Sequence, residues 1–147
     1  MNAYGVDLYT VNLVPGADFG KYTDITNSPY SWDEHAVYSP DGQTIAWASS
    51  LPFPNIIPEY GNLQWATYRD YLHNEFFPMN ANGTGVQQLT WFNTPGSPDS
   101  APQFGDMMFG EWNLKGTQLL IKNGTPEIQV PGGNSEWLIT FAGACGG

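Results

Sequence analysis

Tyr38-Ser39-Pro40-Asp41-Gly42-Gln43-Thr44-Ile45-Ala46-Trp47 decides the fold. Ala36-Val37-Tyr38 enters it as a strand and Thr44-Ile45-Ala46-Trp47-Ala48 leaves as another. Between them Pro40 presets φ, Asp41 caps its own turn and Gly42 takes a positive φ, so the stretch reads as a β-hairpin. Two more hairpins follow the same logic. One is Glu75–Met79, a turn over Asn80–Gly85, then Val86–Thr90; the other is Met107–Trp112, a turn over Asn113–Gly116, then Thr117–Ile121. Val6–Leu13 alternates polar with apolar residues as an opening strand, and Glu136–Phe141 is the last strand. Only Leu63–Leu72 looks helical, and it reads as a short helix or an irregular insertion.

Composition agrees with an all-β chain. Its 147 residues fit one domain, 1–147. With 15% aromatic residues and 6 Trp it has the means to build a core. Its 17 Gly and 12 Pro supply many turns. Only 12% of residues are charged, about half the usual share. Four Lys+Arg against 14 Asp+Glu give a net charge of −10. So few cations cannot displace the counterions of a nucleic acid, and anionic membranes are disfavoured for the same reason. No run approaches the roughly 18 apolar residues of a membrane span. The lone Cys145 rules out an internal disulfide or a Cys-based zinc site and reads as a tolerated terminal thiol. Met1–Asp7 lacks the basic and apolar regions of an export signal, so either the protein is cytoplasmic or the chain begins downstream of its natural start.

The segments repeat. Asp7–Asn12 lines up with Glu75–Asn80, Asp24-Ile25-Thr26 with Gln88-Leu89-Thr90, and Ser39–Ile45 with Asn113–Leu119, at offsets of 68, 64 and 74 residues. Each copy runs strand, Gly turn, strand ending in Thr, variable stretch, strand-turn-strand. The pattern resembles the TolB-type, WD40-like (PD40) β-propeller repeat. The resemblance rests on Tyr38–Trp47, then Met79-Asn80-Ala81-Asn82-Gly83-Thr84-Gly85, then Gln88-Leu89-Thr90. Asn113-Leu114-Lys115-Gly116 and Leu13-Val14-Pro15-Gly16 depart from its Ser-Pro-Asp-Gly turn. The resemblance implies antiparallel four-stranded blades: a half blade over 7–26, a blade over 34–90 carrying an insertion at 51–74, and a blade over 107–141. Two and a half blades cannot close a ring that typically needs roughly 4–8. The expectation is therefore an incomplete or open propeller: a piece of a longer protein, an open stack, or an assembly of several chains through a free blade edge.

A repeat fixes architecture better than chemistry. Trp32-Asp33-Glu34-His35 is the densest polar cluster and precedes an inner-strand candidate. Asp33, Glu34 and His35 there could bind a ligand, hold a cation or exchange protons; otherwise they lock a loop by hydrogen bonds. Asp70, His73 and Glu75 form a second, weaker grouping. Trp47, Trp112 and Trp137 alternate within strands and should fill the spaces between blades. Trp65 and Trp91 lie in insertions, where exposed aromatics suit a sugar or a peptide. Ser39 lacks the Gly-x-Ser-x-Gly context of an activated nucleophile. Asn82-Gly83-Thr84 and Asn123-Gly124-Thr125 match glycosylation sequons but read as Asn-Gly turns.

The resulting expectation is a non-catalytic propeller module that binds a protein, a peptide or a glycan, with no cofactor. The resemblance adds a periplasmic or cell-surface setting. The alternatives are the gating portion of a larger hydrolase of the prolyl-oligopeptidase type, and a metal or sugar site at the channel mouth.

Overall fold

The computed structural model of the chain describes residues 5–53, 73–100, 106–124 and 134–141. Among the described residues there is no helix, and eight strands form three small antiparallel sheets. The described part of the chain is all-β, and its sheets do not close into a barrel. The first sheet pairs β1 (Tyr9–Val11) with β2 (Tyr22–Asp24). In the second, β4 (Thr44–Ser49) lies between β3 (Asp33–Tyr38) and β5 (Glu75–Asn80). In the third, β7 (Gln118–Gly124) lies between β6 (Asp106–Trp112) and β8 (Asn134–Thr140). The helix-like stretch Leu63–Leu72 and the terminal Cys145 fall outside the described residues.

The Ser39–Gly42 stretch forms the expected hairpin turn. The Gly42 N–H donates to the Ser39 carbonyl at 2.8 Å, the Ser39 N–H to the Thr44 carbonyl at 2.8 Å, and Gly42 has φ 70°. The degenerate Asn113–Gly116 turn has the same bonds. Gly116 N–H donates to Asn113 at 3.0 Å, Asn113 N–H to Gln118 at 2.9 Å, and Gly116 has φ 67°. The chemistry also transfers. Ser39 Oγ accepts the Thr44 N–H at 3.0 Å, while Asn113 Oδ1 accepts the equivalent Gln118 N–H at 3.2 Å and the Thr117 N–H at 2.9 Å. An Asn side chain thus does the work of the serine hydroxyl, which is why the third copy keeps the turn while losing the motif.

β3 and β6 also match. Each carries an irregularity in which its own strand holds one more residue than its partner: between Glu34 and Val37 in β3, and between Met107 and Phe109 in β6. These are β-bulges, which bend a strand and increase its twist.

The first and second sheets share a more specific device at their hairpins. Asp7 stands just before β1, and Glu75 opens β5. The Thr26 hydroxyl donates to Asp7 Oδ1 at 3.3 Å and accepts the Leu8 N–H at 3.0 Å. The Thr90 hydroxyl donates to Glu75 Oε2 at 2.7 Å and accepts the Phe76 N–H at 2.8 Å. Two residues after each threonine a backbone N–H reaches the same carboxylate, Ser28 to Asp7 at 2.6 Å and Phe92 to Glu75 at 2.9 Å. The backbone pairing follows suit: Ile25 N–H donates to Leu8 and Leu89 N–H to Phe76. The segment 84–90 thereby lies along the free edge of β5, bonded at Asn80–Thr84, Pro78–Gln87 and Phe76–Leu89, without forming a regular strand. It occupies the place of a fourth strand in the 34–90 unit.

Side chains alternate across the sheets, so the second sheet has one face toward the first and the other toward the third. Ile45, Trp47, Phe77 and Met79 pack with Leu8 and Ile25 of the first sheet. Ala46, Ala48 and Phe76 point the other way and pack with Leu119 and Ile121 of the third, with Trp112, Trp137 and Ile139 closing the cluster. The three tryptophans expected between sheets are there. The opening strand differs from its expectation: Leu8 faces the core, while Val11 and Leu13 are exposed. Regular pairing covers only Tyr9–Val11, with one parallel bridge from Val6 to Trp32.

Matched turn geometry predicts matched mutational cost. Gly42→Val and Gly116→Val should each destabilise by about 1–2 kcal/mol, because a branched side chain is forced into left-handed φ. A Cβ at Gly42 meets no atom within 4 Å, so crowding is not the cause. Asn at either position should recover most of the loss in urea unfolding. Equal tolerance of Val and Asn would contradict this geometry.

Candidate functional site

The three residues singled out from sequence separate at the start of β3. Asp33 is 2% exposed. Its carboxylate accepts the Trp47 indole N–H at 3.0 Å and a hydrogen bond from the Ser28 hydroxyl, and its own N–H donates to the Val6 carbonyl at 2.8 Å. Ser28 also lies 3.1 Å from Asp7, so the hydroxyl bridges the two carboxylates with a single proton. Asp33 therefore fastens the first sheet to the second and is not presented to a ligand.

Glu34 and His35 face elsewhere, at the bulge. Glu34 Oε1 accepts the Asn74 amide N–H at 3.2 Å, the Trp32 side chain also hydrogen-bonds to it, and Oε2 lies 3.5 Å from His35 Nε2. Burial raises the Glu34 carboxyl above the ordinary glutamate range, and the bonds from Trp32 and Asn74 only partly oppose it. His35 has φ 54°, a left-handed backbone at a bulge position where glycine is the usual occupant. Its ring packs on Phe109 of the neighbouring bulge, centroids 4.6 Å apart. The site thus joins one carboxylate, one imidazole and one aromatic ring at the point where β3 and β6 both kink.

The second grouping is structural. Asp70 lies outside the described residues. Glu75 is fully buried and accepts Thr90 Oγ1 together with the Phe92 and Asn93 N–H groups. Burial pushes its carboxyl upward against those donors and the nearby His73. His73 Nδ1 lies 3.3 Å from Asn93 Oδ1, and Asn93 Nδ2 donates to the Asn74 carbonyl at 2.8 Å. Among the described residues, no three His, Cys, Asp or Glu gather as a metal ion would need.

Of the aromatic candidates, Trp65 lies outside the described residues. Trp91 is 42% exposed, while its neighbour Phe92 turns inward onto Trp137, centroids 4.9 Å apart. Ser39 Oγ donates to Asp41 Oδ1 at 2.6 Å, and this bond, with the Gln43 N–H, holds the Asp41 carboxyl below its ordinary range. That hydroxyl serves the turn. Asn82 Oδ1 likewise accepts the Thr84 N–H at 3.1 Å within its own turn. Sequence reasoning missed Asn74 and Phe109, which no motif marks. The Asp7 clip did leave a trace, in the alignment of Asp7 with Glu75 and Thr26 with Thr90.

No family model matches the chain, and no curated protein matches it.

The Glu34 carboxyl titrates higher folded than unfolded, so the folded chain binds the extra proton over that window. Its contribution is fully present below the unfolded value near 4.5 and is lost as pH rises through the raised folded value. Unfolding midpoints in urea should therefore fall as pH rises above the unfolded value near 4.5 and through the raised folded one, and fall less for Glu34→Gln. The comparison cancels both the same-sign effect of Glu75 and the general build-up of negative charge as pH rises. Parallel slopes would contradict the account.

Proposed function

We propose that the chain is a non-catalytic binding module of the propeller type, akin to TolB-type, WD40-like repeats. It takes a protein, peptide or glycan ligand at the bulged ends of β3 and β6. The observation that carries this reading is His35, a non-glycine residue held at positive φ with its ring on Phe109 and its Nε2 beside Glu34. Left-handed backbone in a residue with a Cβ is costly, and such strain concentrates where side chains must be aimed. Here it turns an imidazole and a carboxylate toward one edge, next to an exposed phenyl ring. Those groups suit a ligand with a hydrogen-bond donor or cationic group beside an apolar surface.

Binding is favoured over catalysis because the remaining polar groups of the neighbourhood are spent on structure. Asp33 holds Ser28 and Trp47, Glu75 holds the 90–93 segment, and Ser39 closes its turn. The repeat resemblance supports a setting in the periplasm or at the cell surface.

The test is a screen of the folded chain on peptide and glycan arrays, followed by titration of the best probe. A hydrogen bond to a charged group contributes about 1.5–3 kcal/mol, so Glu34→Gln should weaken binding roughly tenfold or more. Phe109→Ala should weaken it comparably, with the melting transition little changed. Binding that survives both substitutions would refute the site.

A further inference from the structure

The contacts between sheets repeat with fixed polarity. The first sheet offers Leu8 and Ile25 to the backward face of the second. The second offers Ala46, Ala48 and Phe76 to the backward face of the third, Leu119 and Ile121. Among the described residues, two faces of this series meet no further sheet. Tyr9, Val11 and Tyr22 lie on the backward face of the first sheet, opposite in alternation to Leu8 and Ile25, and all three are exposed, Tyr22 by 74%. Leu120 and Leu138 sit directly across from each other on the forward face of the third sheet, and both are exposed, Leu138 by 62%.

We infer that a second copy of this chain fills them, head to tail: the forward face of the third sheet of one copy seats on the backward face of the first sheet of the next. The same kind of junction occurs twice within the chain with the same parity, and the two open faces are its two unmatched halves. A contact between two different faces is heterologous, so it propagates to an open series or closes into a ring. Lys122 stands on the forward face, directly across from Glu136, and Asp24 on the backward face. Glu111 and Glu136 share the forward face with Lys122, and the chain carries −10 overall. Copies therefore repel at long range, and screening should strengthen an association driven by apolar faces. This inference is independent of the ligand site at the bulges.

Sedimentation of the full chain should show mass increasing with protein concentration, and increasing further when salt is raised. Leu138→Glu and Tyr22→Glu each spoil one half of the junction, so each alone should remain a monomer. Mixed in equal amounts they still possess one intact half apiece and should form a dimer that grows no further. Val11→Glu with Leu120→Glu repeats the test if either first variant fails to fold by circular dichroism. A wild-type chain that stays monomeric at all concentrations and salts overturns the inference. So does an associating wild type whose two variants, when mixed, remain monomers.

Discussion

A carboxylate closes each of the two threonine-ended hairpins, fully buried at Glu75 and half-buried at Asp7. Burying such a group is costly unless donors surround it, and here the donors come from a segment that would otherwise drift. At Glu75 they are the Thr90 hydroxyl and the N–H groups of Phe92 and Asn93; at Asp7 they are the Thr26 hydroxyl and the Ser28 N–H. Each threonine is used twice, accepting from the backbone beside the acid while donating to the acid. The arrangement ties the end of one segment to the start of another without needing a long regular ladder. It explains how segment 84–90 stays on the edge of β5 with only scattered backbone bonds.

The clips also set the relation between sheets. Ser28 leads from the Asp7 clip to Asp33, and Asp33 holds the Trp47 indole in the core between the first and second sheets. Phe92 leads from the Glu75 clip into the core between the second and third, against Trp137. Each acid thus fixes a hairpin and then delivers the chain to the next interface. With the sheets so held, the bulges of β3 and β6 come side by side, and His35 reaches Phe109.

The fold was legible because its signals are local. Gly42, the apolar run Ile45–Ala48 and the tryptophan positions each follow from a few neighbouring residues. The site was only partly legible. Asp33, Glu34 and His35 were contiguous and polar, but successive strand residues point to opposite faces, and a bulge breaks even that rule. Sequence placed them together; the strand sent Asp33 into the core and left Glu34 and His35 at the edge. Asn74 and Phe109 come from distant segments and could be found only through tertiary contacts. Asn113 shows the opposite limit, where a lost motif conceals a preserved turn because an amide can replace a hydroxyl.

Amide hydrogen exchange measured residue by residue tests the clips most directly. Ser28, Phe92 and Asn93 lie outside regular strands, where loop amides ordinarily exchange fast. Their bonds to the half-buried Asp7 and the buried Glu75 predict protection comparable to that of the β4 amides. Thr90→Val should remove the protection of Phe76 and speed exchange at Phe92 and Asn93, leaving Leu8 and Ser28 protected. Loop-like exchange at Ser28, Phe92 and Asn93 in the native chain would contradict the account.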